Sequence, residues 1–230
     1  IQVQQKQDIK GFTLLELLVV VVIVLIVSAM AYPNFSSWRT DREVRMAAEK
    51  VASMITGIIT QTQRGSFPYV QFSVNITGGV TNKLFLTKGM SQKTLSNTKN
   101  AGNTVNCDIV NAGVWDNHKV HSAEAEVAVH TATSGSVCFS KDAGHYGLNG
   151  SFPSNKNINL SGRTTANYII LCDLLQMDYS VDPPVSRIGA NGQCDLSQLQ
   201  KPAYLVEWTR FGGITLYKWS GDASNGWSIL

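Results

Sequence analysis

One carboxylate, Glu16, interrupts an otherwise uncharged run from Phe12 to Ala31 within KGFTLLELLVVVVIVLIVSAMAYPNF, residues 10–35. An ionised carboxylate at the centre of a hydrophobic span costs about 2.5–3.5 kcal/mol on insertion scales, so a residue kept in such a place is usually functional. The chemistry open to it is electrostatic: a lone carboxylate in an apolar run attracts a cation. The simpler alternative is a side chain that snorkels to the near membrane interface, since Glu16 lies four residues beyond Phe12.

A second polar group, His118, His121, Glu124, Glu126 and His130, has the residue types of a metal or acid/base site. A strand through Glu124, Glu126 and His130 would place these three on one face, but the spacing fits no metal-binding pattern such as H-E-x-x-H. They read as solvated polar residues flanking a strand. Asp182 beside two prolines and Asp195 beside Cys194 read as turn formers. No glycine-rich phosphate loop, G-x-S-x-G or Cys-His nucleophile pattern is present. The expectation is therefore a non-enzymatic protein with no catalytic residue, metal or cofactor. Trp38, Trp115, Trp208, Trp219 and Trp227 are scattered, which favours packing over a stacking surface. N-x-S/T sequences at Asn75, Asn149 and Asn159 match the acceptor pattern for glycosylation.

The four cysteines, Cys107, Cys138, Cys172 and Cys194, all follow the apolar run. No CxxC pair occurs, which argues against zinc or thioredoxin-like chemistry, and an oxidising compartment would make them two disulfides. Four cysteines allow three connectivities, and sequence alone does not choose among them; the expectation is the sequence-adjacent pairing, Cys107 with Cys138 and Cys172 with Cys194.

The elements that carry these residues begin with the apolar run. About 20 residues at 1.5 Å rise match a hydrocarbon core of roughly 30 Å, so a single spanning helix is expected. Lys6 and Lys10 precede it against Asp8 alone. That bias puts the N-terminus in the cytoplasm and the bulk of the chain outside. Residues 1–11, IQVQQKQDIKG, read as a leader, and a first residue other than Met points to a non-standard or truncated start. Pro33 lacks an N–H and is expected to kink or locally unwind the helix. Beyond it Val44, Ala47, Ala48, Val51, Ile55, Ile58 and Ile59 recur at helical spacing. Arg42, Arg45, Glu49, Lys50 and Ser53 fall on other faces, giving an amphipathic helix to about Arg64, stopped by Gly65 and Pro68.

From Tyr69 the period becomes two, predicting a strand over 69–76 and a Gly-Gly turn at 78–79 into a second strand over 80–87. Further strands are expected over 126–131, 136–140, 167–174, 203–209 and 214–219. Nothing between them reads as a crossover helix, so the sheet is expected to be antiparallel. Residues 88–112, 144–162 and 176–202 read as long loops. The fold class is α+β, with a leader (1–11), a long N-terminal helix (12–64, transmembrane over 12–32 and amphipathic over 33–64) and a β-rich head (65–230). A net charge of +3 spread along the chain lends no support to nucleic acid as a partner.

KGFTLLELLVV resembles the processing and assembly signature of the type IV pilin superfamily, which includes pilus subunits and the pseudopilins of type II secretion. The resemblance is specific over Lys10–Phe35 and weak beyond about Thr77. It implies that Gly11 is the last leader residue before prepilin peptidase cleavage and Phe12 the new, N-methylated terminus. It also implies that Glu16 of a subunit still in the membrane pairs with the Phe12 ammonium of one already in the filament. Two unit charges about 4 Å apart at an effective dielectric near 20 attract by roughly 4 kcal/mol, comparable with the cost of burying one of them. Thr13 is small enough for close helix contact in the same assembly surface.

Residues 55–74 and NYIILCD, 167–173, are similar to minor pilins and H-type pseudopilins with all-β heads, whereas RGSF after the helix is similar to some major pilins. The implied partners are other pilin or pseudopilin subunits, prepilin peptidase, the inner-membrane assembly machinery and, before assembly, membrane lipid. The implied location is the inner membrane with an extracytoplasmic head, then an extracellular pilus or periplasmic pseudopilus. Two rivals are a secretory signal cut after Ala-Met-Ala at 29–31 and a membrane-tethered enzyme. An apolar stretch near 20 residues with an acidic interruption is too long for the usual signal, and no catalytic pattern supports the second.

Overall fold

The computed structural model describes residues 13–76, 83–103, 105, 107, 115–125, 127–129, 134–141, 144–149, 158–160, 163–165, 167–174, 177–178, 185–186, 194, 202–209, 212–221 and 226–230. Helix α1 runs Leu14–Gln63, and the chain divides into two compact units, Ile1–Arg39 and Thr40–Leu230.

In the first unit α1 exposes its large apolar side chains from Leu14 to Val27 on every face, at 45% to 84%. A helix that is hydrophobic all round has no stripe with which to choose one partner surface. Its valines and isoleucines are also modest helix formers in water. In a medium without water, however, a helix satisfies every backbone group within one segment, and the β-branched run then costs little. The side chain of Pro33 lies outside the described residues, so the kink expected there stays an expectation.

In the second unit the helical periodicity reports directly on packing. Val44, Ala47, Ala48, Val51, Ile55, Ile58 and Ile59 are all buried, joined by Ala52 and Met54, while Arg42, Arg45, Glu49, Lys50 and Ser53 are exposed. Gly65, at φ 76°, stops the helix. Its N–H donates to Thr62 O at 2.9 Å and the Ser66 N–H to Gln61 O at 3.0 Å. These two bonds satisfy terminal carbonyls, and the left-handed residue between them suits glycine.

Strands β1 (Tyr69–Asn75), β2 (Lys83–Met90), β3 (Asp116–Ala125), β5 (Gly135–Ser140) and β6 (Gly144–Asn149) form one antiparallel sheet in the order β3-β2-β1-β5-β6. Strands β4 (Ala128–Val129), β9 (Tyr168–Cys172), β12 (Ala203–Trp208), β13 (Ile214–Trp219) and β14 (Trp227–Ile229) form a second, in the order β14-β13-β12-β9-β4. Two short antiparallel ladders, β7 (Ile158–Leu160) with β8 (Arg163–Thr165) and β10 (Met177–Asp178) with β11 (Val185–Ser186), complete the described strands.

Period-two alternation explains how the sheets share α1. Val70, Phe72 and Val74 of β1, Ile169 and Leu171 of β9, and Tyr204, Val206 and Trp208 of β12 join the helix residues in one core. The intervening residues of the second sheet, Tyr168, Ile170, Cys172, Ala203 and Leu205, form a separate core with Cys194, Tyr217 and Trp227. Behind the first sheet, Met90, Leu95, Cys107, Trp115 and Cys138 form a third. The disulfides Cys107–Cys138 and Cys172–Cys194 each close one of these two outer cores, and their connectivity is the sequence-adjacent one.

Three of the expected loops are corrected. In the stretch 88–112, β2 continues to Met90 and α2 (Gln92–Asn100) follows, so the head beyond α1 contains a helix of its own. The Ser91 Oγ accepts the Thr94 N–H at 3.2 Å, and Leu95 is the one buried side chain of α2, too little apolar signal for periodicity to register. Residues 144–162 contain β6 and β7, and 176–202 contain β10 and β11. Strands β3 and β14 were not expected. The first is polar, and both lie at the outside of their sheets, where ladder pairing rather than a run of β-branched residues holds them. The proposed turn at 78–79 lies outside the described residues.

Candidate functional site

The site begins at the first turn of α1. Thr13 precedes the helix, and its Oγ1 accepts the Glu16 N–H at 3.2 Å while its carbonyl accepts the Leu17 N–H at 3.2 Å. Thr13 is thus the N-cap and Glu16 the third helical residue, the spacing of a capping box. A carboxylate in the first turn also faces the positive end of the helix dipole, a stabilisation of about 0.3–1 kcal/mol. Both residues are exposed. The T-x-x-E spacing at Thr13–Glu16 is the signal in the sequence for this cap. Gly11 and Phe12, the expected processing pair, lie outside the described residues.

Residues 6–32 match the family model of the prokaryotic N-terminal methylation motif. The chain carries the N-terminal signal of the type IV pilin superfamily. The matched residues take in Gly11, Phe12, Thr13 and Glu16 and nearly all of the exposed apolar helix. The pilin signal implies processing by prepilin peptidase and assembly with other pilin subunits. No curated protein and no solved structure matches the chain.

Among the described residues no helix is long and apolar enough to cross a membrane.

His118, His121 and Glu124 belong to β3, where His121 pairs with Thr87 and Glu124 with Leu84. Glu126 and His130 lie outside the described residues. Among the described residues no cluster of three or more His, Cys, Asp or Glu is placed to hold a metal ion.

A constellation that sequence reasoning missed lies in the second unit. Asp41 of α1 accepts Tyr204 Oη on one oxygen and Lys218 Nζ on the other, each at 2.9 Å. Tyr204 and Lys218 are directly opposed across β12 and β13, and the ammonium lies 5.5 Å from the tyrosine ring centroid. Burial, then the Asp41 hydrogen bond, raises the Tyr204 pKa above the ordinary phenol value. For Lys218 burial is the largest single influence and lowers the value. The hydrogen bonds to Asp41 and Tyr204 and their charges outweigh it together, so the ammonium is held on above its usual range. Nothing local in the sequence links positions 41, 204 and 218; only the register of two strands brings them together. A buried hydrogen bond from Tyr217 Oη to Glu207 Oε2 at 3.1 Å lies on the same pair of strands.

Proposed function

We propose that this chain is a structural, non-enzymatic subunit of a type IV pilus or pilus-like secretion filament, cleaved after Gly11 and assembled through α1. The observation that carries the reading is the stretch of α1 from Leu14 to Val27, exposed and apolar on every face with Glu16 as its one charge, coinciding with the methylation motif over residues 6–32. Such a surface needs a non-aqueous surround, and lipid before assembly and packed helices after it both supply one. In this reading residues 12–32 span the inner membrane, Pro33 bends the helix, and the head with its two disulfides faces the oxidising side. Phe12 becomes the cationic terminus that Glu16 of an incoming subunit recognises. Within the superfamily the large, strand-rich head favours a minor pilin or an H-type pseudopilin.

Mass analysis of the mature N-terminus tests this. A chain beginning at Phe12 and carrying one added methyl group is expected, whereas one beginning at Tyr32 would mark Ala-Met-Ala as an ordinary signal site and remove the proposal. Glu16→Ala is expected to insert in the membrane normally and to be absent from filaments; normal incorporation would remove the ion-pair mechanism while leaving the subunit role intact.

A further inference from the structure

We propose that Asp41, Tyr204 and Lys218 form a latch that fastens the first head-packed turn of α1 to the second sheet and opens without unfolding the core. Asp41 is the second residue of the Thr40–Leu230 unit. The first helix residue of its shared core is Val44, so Asp41 lies one turn ahead of the packed apolar stripe. The turn from Thr40 to Glu43 has no fully buried apolar side chain of its own. Its ties to the sheet through Asp41 are polar: both oxygens of one carboxylate are taken by two donors fixed side by side on β12 and β13.

The partners differ in how firmly they are held. Tyr204 belongs to the buried core and cannot withdraw without disturbing it. Lys218 and Asp41 leave 35% and 34% of their side chains in solvent, so water can replace their contact at modest cost. The ammonium near the Tyr204 ring lets the lysine stay in place when the carboxylate leaves. One side of the latch is therefore preset, and the helix turn is the part that moves. Arg45 and Glu49 pair along the helix itself at 2.8 Å, and Arg45 feels the charges of Asp41 and Tyr204 only through space. The latch stands whether or not the chain enters a filament.

Hydrogen exchange of the full-length protein in detergent, followed by mass spectrometry of segments covering 40–46, β9 and β12, reads the latch. Asp41→Asn and Lys218→Met are each expected to speed exchange over 40–46 by roughly three- to tenfold, the range for a partly exposed, charge-assisted contact. Protection in β9 and β12 should be unchanged, the double variant should be no faster than Asp41→Asn alone, and Glu49→Gln should leave 40–46 within about twofold of the parent. Unchanged exchange over 40–46 in Asp41→Asn overturns the proposal. So does an equal rise in β9 and β12, or failure of both single variants to fold, since either makes the contact part of the global fold rather than a latch.

Discussion

Gly212, in the turn between β12 and β13, meets Ile59 of α1 so closely that a Cβ on the glycine would lie 2.7 Å from the isoleucine Cγ2. Gly212 also has φ +84°, a conformation in which an L side chain is strained. Gly212→Ala therefore combines backbone strain of about 1–2 kcal/mol with displacement of a core side chain. A fall in Tm, in thermal unfolding followed by circular dichroism, is the expected result. Gly57 is the control: it lies in α1, and a Cβ there meets nothing within 4 Å. Gly57→Ala is expected to raise stability by about 0.5–1 kcal/mol.

Ile55 is fully buried between α1 and the two sheets. Truncation to alanine is expected to cost about 2–5 kcal/mol, read as a lower denaturant midpoint with an unchanged slope. An exposed change nearby on the same helix, Ser53→Ala, should fall within about 0.5 kcal/mol.

The disulfides join cysteines 31 and 22 positions apart. By chain entropy each is worth roughly 3–4 kcal/mol. Removing Cys107–Cys138 by paired Cys→Ala changes should release the segment over the first sheet to protease, and removing Cys172–Cys194 should release the one over the second. Cleavage products of limited proteolysis distinguish the two, and identical fragments from both variants would contradict the separation of the outer cores.

Alkaline pH should loosen the same sheet–helix contact that Asp41 makes. The folded-state pKa values of Tyr204 and Lys218 both lie above their ordinary values of 10.0 and 10.5. A raised folded pKa means the protonated form is favoured by folding. The contribution is therefore full below the ordinary value and is lost as pH rises through the folded one. Stability should fall from about pH 10 upward, and Tyr204→Phe with Lys218→Met should flatten that fall. Denaturant unfolding at a series of pH values between about 8 and about 11 measures it.

The parts of the fold that repeat a local pattern were readable from sequence. The buried stripe from Val44 to Ile59 follows from helical spacing, and β9 and β12 follow from dense apolar runs buried on both faces. Helix α2 and strand β3 were hidden because their stability comes from a serine cap and from edge pairing, neither of which leaves a run of hydrophobic residues. At the candidate site the Thr13–Glu16 spacing was present in the sequence, and its capping geometry emerged once the helix start was seen. Asp41, Tyr204 and Lys218 were beyond sequence reading, because 163 and 177 positions separate the helix residue from its two donors.

The shared core also limits how the protein can be cut. Both sheets turn a face toward the same stretch of α1, so a fragment starting after Gln63 would leave two hydrophobic walls with the filling between them gone. A water-soluble version made for binding studies must therefore keep the helix from about Thr40 onward, shedding the apolar segment but retaining its continuation as part of the head.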